Sequence, residues 1–222
     1  MRFKNKKLLI FDLDGTLINS IPDLTTAINK MLESLEIDPV PLEKIKSFIG
    51  NGAKKLVSRS LNYTNDNNVP KELFDKAFPK FMKFYKANPC EETFLYPGVE
   101  ETLKYLNDKS YKMMICTNKP IEFVEPILEK LNIKIHFQKW IGENSLSEKK
   151  PSGEPLLHLA KEANVTVEDC LMIGDSKNDI LSASNAKMES IGLSYGYNYD
   201  EDINQFNPTV VLNEFITLKT LL

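Results

Sequence analysis

Two carboxylates, Asp12 and Asp14, flank Leu13 directly after the unbroken apolar run Leu8, Leu9, Ile10 and Phe11. A run of that length without polar alternation reads as a strand buried on both faces of a parallel sheet. Ligands of open α/β sheets bind beyond the carboxyl ends of such strands, where these two side chains fall. Gly15 then lets the chain turn away at once. Two anions this close repel each other unless a cation lies between them, so the spacing suggests a metal. Oxygen-only donors of this hardness suggest Mg²⁺. An EF-hand loop also begins with D-x-D, but it needs Gly at its sixth position, where this chain has Leu17, and it follows a helix rather than a strand. A solvated acidic turn is the plain alternative for the pair taken alone.

Three later segments supply complementary groups. Thr117 offers a hydroxyl and Asn118 an amide, both able to donate to phosphate oxygens near the start of the helix that follows. Lys150, held before Pro151, offers a point charge for an anion. In the segment GDSKND, Asp175 and Asp179 are four residues apart and can face one side of a helix start. Each has an ordinary reading when isolated: a cap, a solvated loop, a capped helix. Their weight comes from falling at the ends of successive expected strands.

The elements that must position these groups follow from periodicity. Leu24, Ile28, Met31, Leu32 and Leu35 share one helical face, with Ser20, Pro22 and Asp23 as its start signal. Ala53, Leu56, Val57, Ser60 and Leu61 make a second stripe, and residues 62–68 a polar connection. Residues 70–86 form an aromatic helix that Pro79 should kink or split. Residues 18–94 are therefore expected to be helical with no strand. From Tyr96 onward helix and strand alternate, with strands expected at 112–116, 136–141, 170–173, 190–193 and 210–212 and helices at 99–108, 120–131 and 154–163. This pattern implies α/β architecture, a Rossmann-like doubly wound parallel sheet, with an inserted α-helical cap. The expected division is a discontinuous core of residues 1–17 and 95–222 and a cap of residues 18–94.

Length and composition set further bounds. With 222 residues the chain suggests one large domain or a domain with an insertion, and a net charge of -3 gives no support for nucleic acid as a partner. Lys4, Lys6 and Lys7 resemble the basic end of a signal peptide, but Asp12 interrupts the apolar run too early. No stretch is long enough to span a membrane. Cys90, Cys116 and Cys170 form no C-x-x-C pair, which fits a reducing compartment and a cytoplasmic protein.

Taken together, DLDGTL, CTN, KKP and GDSKND resemble, in order, the four motifs of the haloacid dehalogenase superfamily of phosphotransferases. The helical block resembles that superfamily's cap placed after the first motif, while GNGAKKLV and SYGYNYDEDI are similar to segments of phosphoglycolate phosphatases. Glu143 and Asn144 depart from the Gly-Asp usual there, and Gly153 stands where Pro is usual.

Both readings assign Asp12 as the nucleophile, forming an aspartyl-phosphate that water hydrolyses. The resemblance implies Mg²⁺ held by the carboxylates of Asp12 and Asp175 and by the backbone carbonyl of Asp14, whose side chain is then free for acid-base work. Thr117, Asn118 and Lys150 are expected to hold phosphate oxygens, with Asp179 orienting Lys150 or a metal-bound water. Gly50, Asn51 and Gly52 precede a helix whose amides can receive a small carboxylate, with Lys54, Lys55, Arg59 or Lys119 as counter-charges. An ordinary turn beside a solvated basic face is the alternative, and the resemblance favours a small phosphorylated metabolite, 2-phosphoglycolate, met by a monomer or homodimer. A phosphomutase is the nearest alternative, although those proteins tend to have Val at the place of Thr16. A pyrophosphatase and a phospho-receiver domain are further readings. Gly192 to Gly196 also fits G-x-S-x-G, but His136 and His158 both precede Ser194, so the serine triad cannot be completed in order.

Overall fold

The computed structural model describes residues 2–64 and 69–222. Its elements in chain order are β1 Leu8–Phe11, β2 Ile18–Asn19, α1 Ile21–Glu33, α2 Leu42–Phe48, α3 Ala53–Thr64, α4 Lys71–Ala87, β3 Phe94–Leu95, α5 Val99–Asp108, β4 Lys112–Pro120, α6 Ile121–Lys130, β5 Lys139–Glu143, α7 Glu154–Glu162, β6 Cys170–Gly174, α8 Lys177–Asn185, β7 Glu189–Leu193, β8 Val210–Leu212 and α9 Leu218–Leu221.

Six strands form one parallel sheet in the order β5-β4-β1-β6-β7-β8. Every residue of β1 is buried because helices cover both faces. Leu9 and Phe11 join one apolar cluster with α5 and α6, while Leu8 and Ile10 join another with α7 and α8. Phe11 is level with Ile115 of β4 and Ile173 of β6. The residues just beyond that level, Asp12, Thr117 and Asp175, are therefore brought to one edge of the sheet. Sheet order thus does the positioning that separation in sequence conceals.

Four helices, α1 to α4, lie between β2 and β3. The expectation of a strandless stretch over residues 18–94 is corrected here: Ile18 pairs with Leu95 and Asn19 with Phe94, antiparallel, at the two ends of the insertion. Two-residue strands carry too little alternation to appear as a pattern. Asp23 ties the same junction together by accepting from the amides of Glu92 and Thr93 and from the Thr93 hydroxyl at 2.6 Å. Its carboxylate therefore secures the returning chain.

Pro79 does not split α4, which runs unbroken over 17 residues. Pro79 and Asp75 are both exposed, so the carbonyl deprived of its partner meets solvent, while Ala77, Phe81 and Tyr85 hold the opposite side in the core. The first expected helix ends at Glu33 rather than Leu35, where a turn brings Glu36 to a φ of 60°. α2 precedes the second expected stripe as a separate helix, and residues 139–143 replace 136–141 as the strand. The expected connection 62–68 is helical through Thr64, and its remainder lies outside the described residues. Among the described residues no helix is long and apolar enough to cross a membrane.

Candidate active site

Asp12 leaves β1 with its amide donating to the Ile173 carbonyl, a continuation of the sheet ladder that fixes its backbone. Lys150, from the loop between β5 and α7, places Nζ 2.9 Å from Asp12 Oδ1 and 2.6 Å from Asp179 Oδ1. All three side chains are buried. Asp179 is in turn fixed by its own helix: its Oδ2 accepts from the amide and hydroxyl of Ser176, forming the capping box of α8. Helix capping and ammonium orientation thus share one carboxylate.

Asp175 is held from two sides. Thr16 Oγ1 donates to its Oδ1 at 2.6 Å, and the Tyr197 amide donates to its Oδ2 at 2.6 Å. Gly15, at a φ of +88°, packs so closely that a Cβ there would collide with this carboxylate. The turn glycine therefore provides both the left-handed conformation and the space for Asp175.

Carboxylate oxygens of Asp12, Asp175 and Asp179 all lie within 4.8 Å of one another. Burial pushes Asp12 up to about 7 despite the opposing ammonium of Lys150, with Asp179 adding to the rise. Asp175 is raised well above the usual carboxylate range by burial and then by Asp179 and Asp12. Burial alone would lower Lys150, but Asp12 and Asp179 more than offset it and hold the ammonium charged. Ionising all three carboxylates against one ammonium would leave an excess of buried negative charge, and all the donors are hard oxygens. This set fits a divalent cation such as Mg²⁺.

The Asp14 carboxylate does not share that cluster. The chain leaves extended geometry after Phe11, so side chains two residues apart no longer point together. Asp14 instead accepts from Ser20 Oγ at 2.5 Å and from Lys119 Nζ at 2.8 and 3.1 Å. Ser20, expected as a helix cap, makes no side-chain cap on α1 because its hydroxyl turns to Asp14. Burial acts to lower Lys119, but Asp14 more than offsets it and holds the ammonium charged.

Thr117 is buried, and its hydroxyl accepts from the Lys119 amide at 3.1 Å. Asn118, expected to donate to phosphate, has its Nδ2 donating to the carbonyls of Gly50 and Lys150, both at 3.0 Å. Asn118 thereby joins the helical insertion to the Lys150 loop. Asn178 donates to the same Gly50 carbonyl at 3.1 Å. Gly50 and Gly52 line the cavity beside Asp12 and Asp14, as does Lys119. Lys54 and Lys55 are exposed and outside that lining, because the stripe of Ala53, Leu56 and Val57 turns the other side of α3 inward. Asn51 accepts from Arg59 through its side chain and from Lys149 through its carbonyl. Lys149 also pairs with Glu143 at 2.7 Å, so Glu143, one of the departures from Gly-Asp, holds the lysine that reaches Asn51.

Sequence reasoning missed Thr16, Ser20, Tyr85 and Tyr197 as parts of this site. Ser194 is exposed and donates to Asn213, and it takes no part.

The haloacid dehalogenase-like hydrolase family profile matches residues 9–193. The chain is 43% identical to a phosphoglycolate phosphatase of Psychrobacter arcticus over 217 residues, 96% of this chain and 94% of that protein. It is 42% identical to a phosphoglycolate phosphatase of Colwellia psychrerythraea, covering 97% and 96% of the two. The crystal structure of a predicted phosphoglycolate phosphatase from Haemophilus somnus superposes with a TM-score of 0.93 at 34% identity, over 98% of each chain.

Proposed function

Because the chain belongs to the haloacid dehalogenase-like hydrolase family, we propose that it is a Mg²⁺-dependent phosphomonoesterase that hydrolyses 2-phosphoglycolate to glycolate and phosphate. The observation that carries this reading is the meeting of Asp12, Lys150 and Asp175 in one buried cluster. Asp12 Oδ attacks phosphorus as the bond to the alcohol oxygen breaks, giving an aspartyl-phosphate. Asp14, outside the cluster, protonates the departing alkoxide. It then takes a proton from the water that attacks phosphorus, and the bond to Asp12 breaks. Thr117 and Lys150 hold the equatorial oxygens, and Asp179 keeps Lys150 in place. The carboxylates of Asp12 and Asp175 and the Asp14 backbone carbonyl would hold Mg²⁺, whose charge lets a phosphate dianion approach a carboxylate.

Residues 18–94 act as a cap over a core formed by 1–17 and 95–222. Asn118 and Asn178, both donating to Gly50, support a closed arrangement. The buried, unpaired thiols of Cys90, Cys116 and Cys170 support a reducing compartment, the cytoplasm.

Phosphate release from a panel of small esters, with Mg²⁺ or with a chelator, tests this reading. The expected result is the highest kcat/KM on 2-phosphoglycolate and no turnover without the metal. Equal rates on 2-phosphoglycolate and on an uncharged alkyl phosphate overturn the substrate. A long-lived phosphorylated protein with negligible turnover overturns the hydrolase in favour of a receiver.

A further inference from the structure

Tyr85 lies on α4 with 1% of its surface exposed, and its hydroxyl has no hydrogen-bond partner. A buried hydroxyl without a partner is destabilising, so its retention calls for an explanation. The ring of Tyr85 faces Lys119, whose Nζ is 5.0 Å from the centroid. Tyr85 and Lys119 also line, with Asp14, one cavity of about 40 Å³ whose other walls include Leu24, Phe81 and Phe123. Pairing with Asp14 and contact with an aromatic face account for Lys119. The ammonium also acts on the phenol, offsetting part of the rise that burial causes, but no hydrogen bond within 3.5 Å satisfies the hydroxyl.

We propose that the Tyr85 hydroxyl and the Lys119 ammonium together read the carboxylate of the substrate's leaving group. This rests on the substrate assigned above. Asp14 must meet the ester oxygen, and in 2-phosphoglycolate a single methylene separates that oxygen from the carboxyl carbon. The carboxylate therefore sits within about 3 Å of the ester oxygen by ordinary bond lengths, which is the neighbourhood of the ammonium that already touches Asp14. Burial pushes the Tyr85 phenol up to about 12, so it remains a donor at neutral pH. An ammonium and a phenol donor suit a carboxylate, whereas an alkyl group there would leave the phenol without a partner, which is how polar pockets reject analogues. The apolar walls and small volume limit the leaving group to a few atoms.

The test compares kcat/KM on 2-phosphoglycolate and on ethyl phosphate for the wild type and for Tyr85→Phe, which removes only the hydroxyl. The ratio of the two is expected to fall at least fivefold in the variant, mainly through KM on the acid substrate; a smaller fall overturns the assignment. Should Tyr85→Phe not fold, Lys119→Gln carries the same comparison with the same threshold. A wild type with no preference for 2-phosphoglycolate defeats the substrate reading itself. A wild type whose preference survives the substitution defeats only the role of Tyr85.

Discussion

Lys119 Nζ reaches both carboxylate oxygens of Asp14, at 2.8 and 3.1 Å, across 105 residues of sequence. That pairing, with Ser20 on the other flank, holds Asp14 apart from the buried cluster of Asp12, Asp175 and Asp179. Two carboxylates two residues apart thus occupy different environments, the usual basis for dividing nucleophilic and acid-base work. Asp14→Asn is expected to lower kcat by roughly 10²- to 10⁴-fold, the ordinary worth of general acid-base help, and to lower the melting temperature because the buried Lys119 ammonium loses its counter-charge. Steady-state kinetics on 2-phosphoglycolate checks this, and a loss under tenfold would remove Asp14 from the acid role.

Metal dependence has a readout independent of turnover. Mg²⁺ at about 100 times its dissociation constant should stabilise the wild type by about 2.7 kcal/mol, seen as a rise in melting temperature. Asp175→Asn removes a carboxylate of the cluster and should abolish most of that rise. An equal shift in both proteins would place the ion elsewhere.

Lys150 is the sole ammonium paired with Asp12 and Asp179 among the described residues. Lys150→Ala leaves buried carboxylates without their counter-charge, and breaking such a pair from one side costs about 3–5 kcal/mol. Urea unfolding without divalent ions should show a loss of that order, and Mg²⁺ should recover part of it. A loss under about 1 kcal/mol would show that the cluster is solvated rather than buried.

Gly50 has a φ of +110°, and a Cβ there would run into the Tyr199 hydroxyl. Gly50→Ala should cost about 1–3 kcal/mol, the range for a residue held in such backbone geometry. Adding Tyr199→Phe removes the atom in the way and should return part of the loss in a double-mutant cycle. Strict additivity of the two changes would deny the contact.

The sheet and its site were legible because their signals are local. β1 and β6 are continuous apolar runs, and each ends on an acidic residue where the strand stops. What the sequence withheld was the partner of each polar group, which depends on strand order. Asn118 reads as a phosphate donor, and only the fold shows its amide bonded to Gly50, 68 residues away. Ser20 reads as a helix cap until Asp14 is seen within reach of its hydroxyl. Tyr85 falls on the aromatic stripe of α4 and looks like packing, since periodicity says nothing about whether a buried phenol has a partner. Pro79 misleads for a related reason: its cost depends on whether the orphaned carbonyl faces solvent.

Reduction of the protein with borohydride during turnover of 2-phosphoglycolate tests the nucleophile most directly, because an aspartyl-phosphate is converted to homoserine at the residue that carries it. Peptide mass analysis should find that conversion at Asp12, and no turnover or conversion in Asp12→Asn. Conversion at another carboxylate, or substantial turnover by Asp12→Asn, would contradict the account.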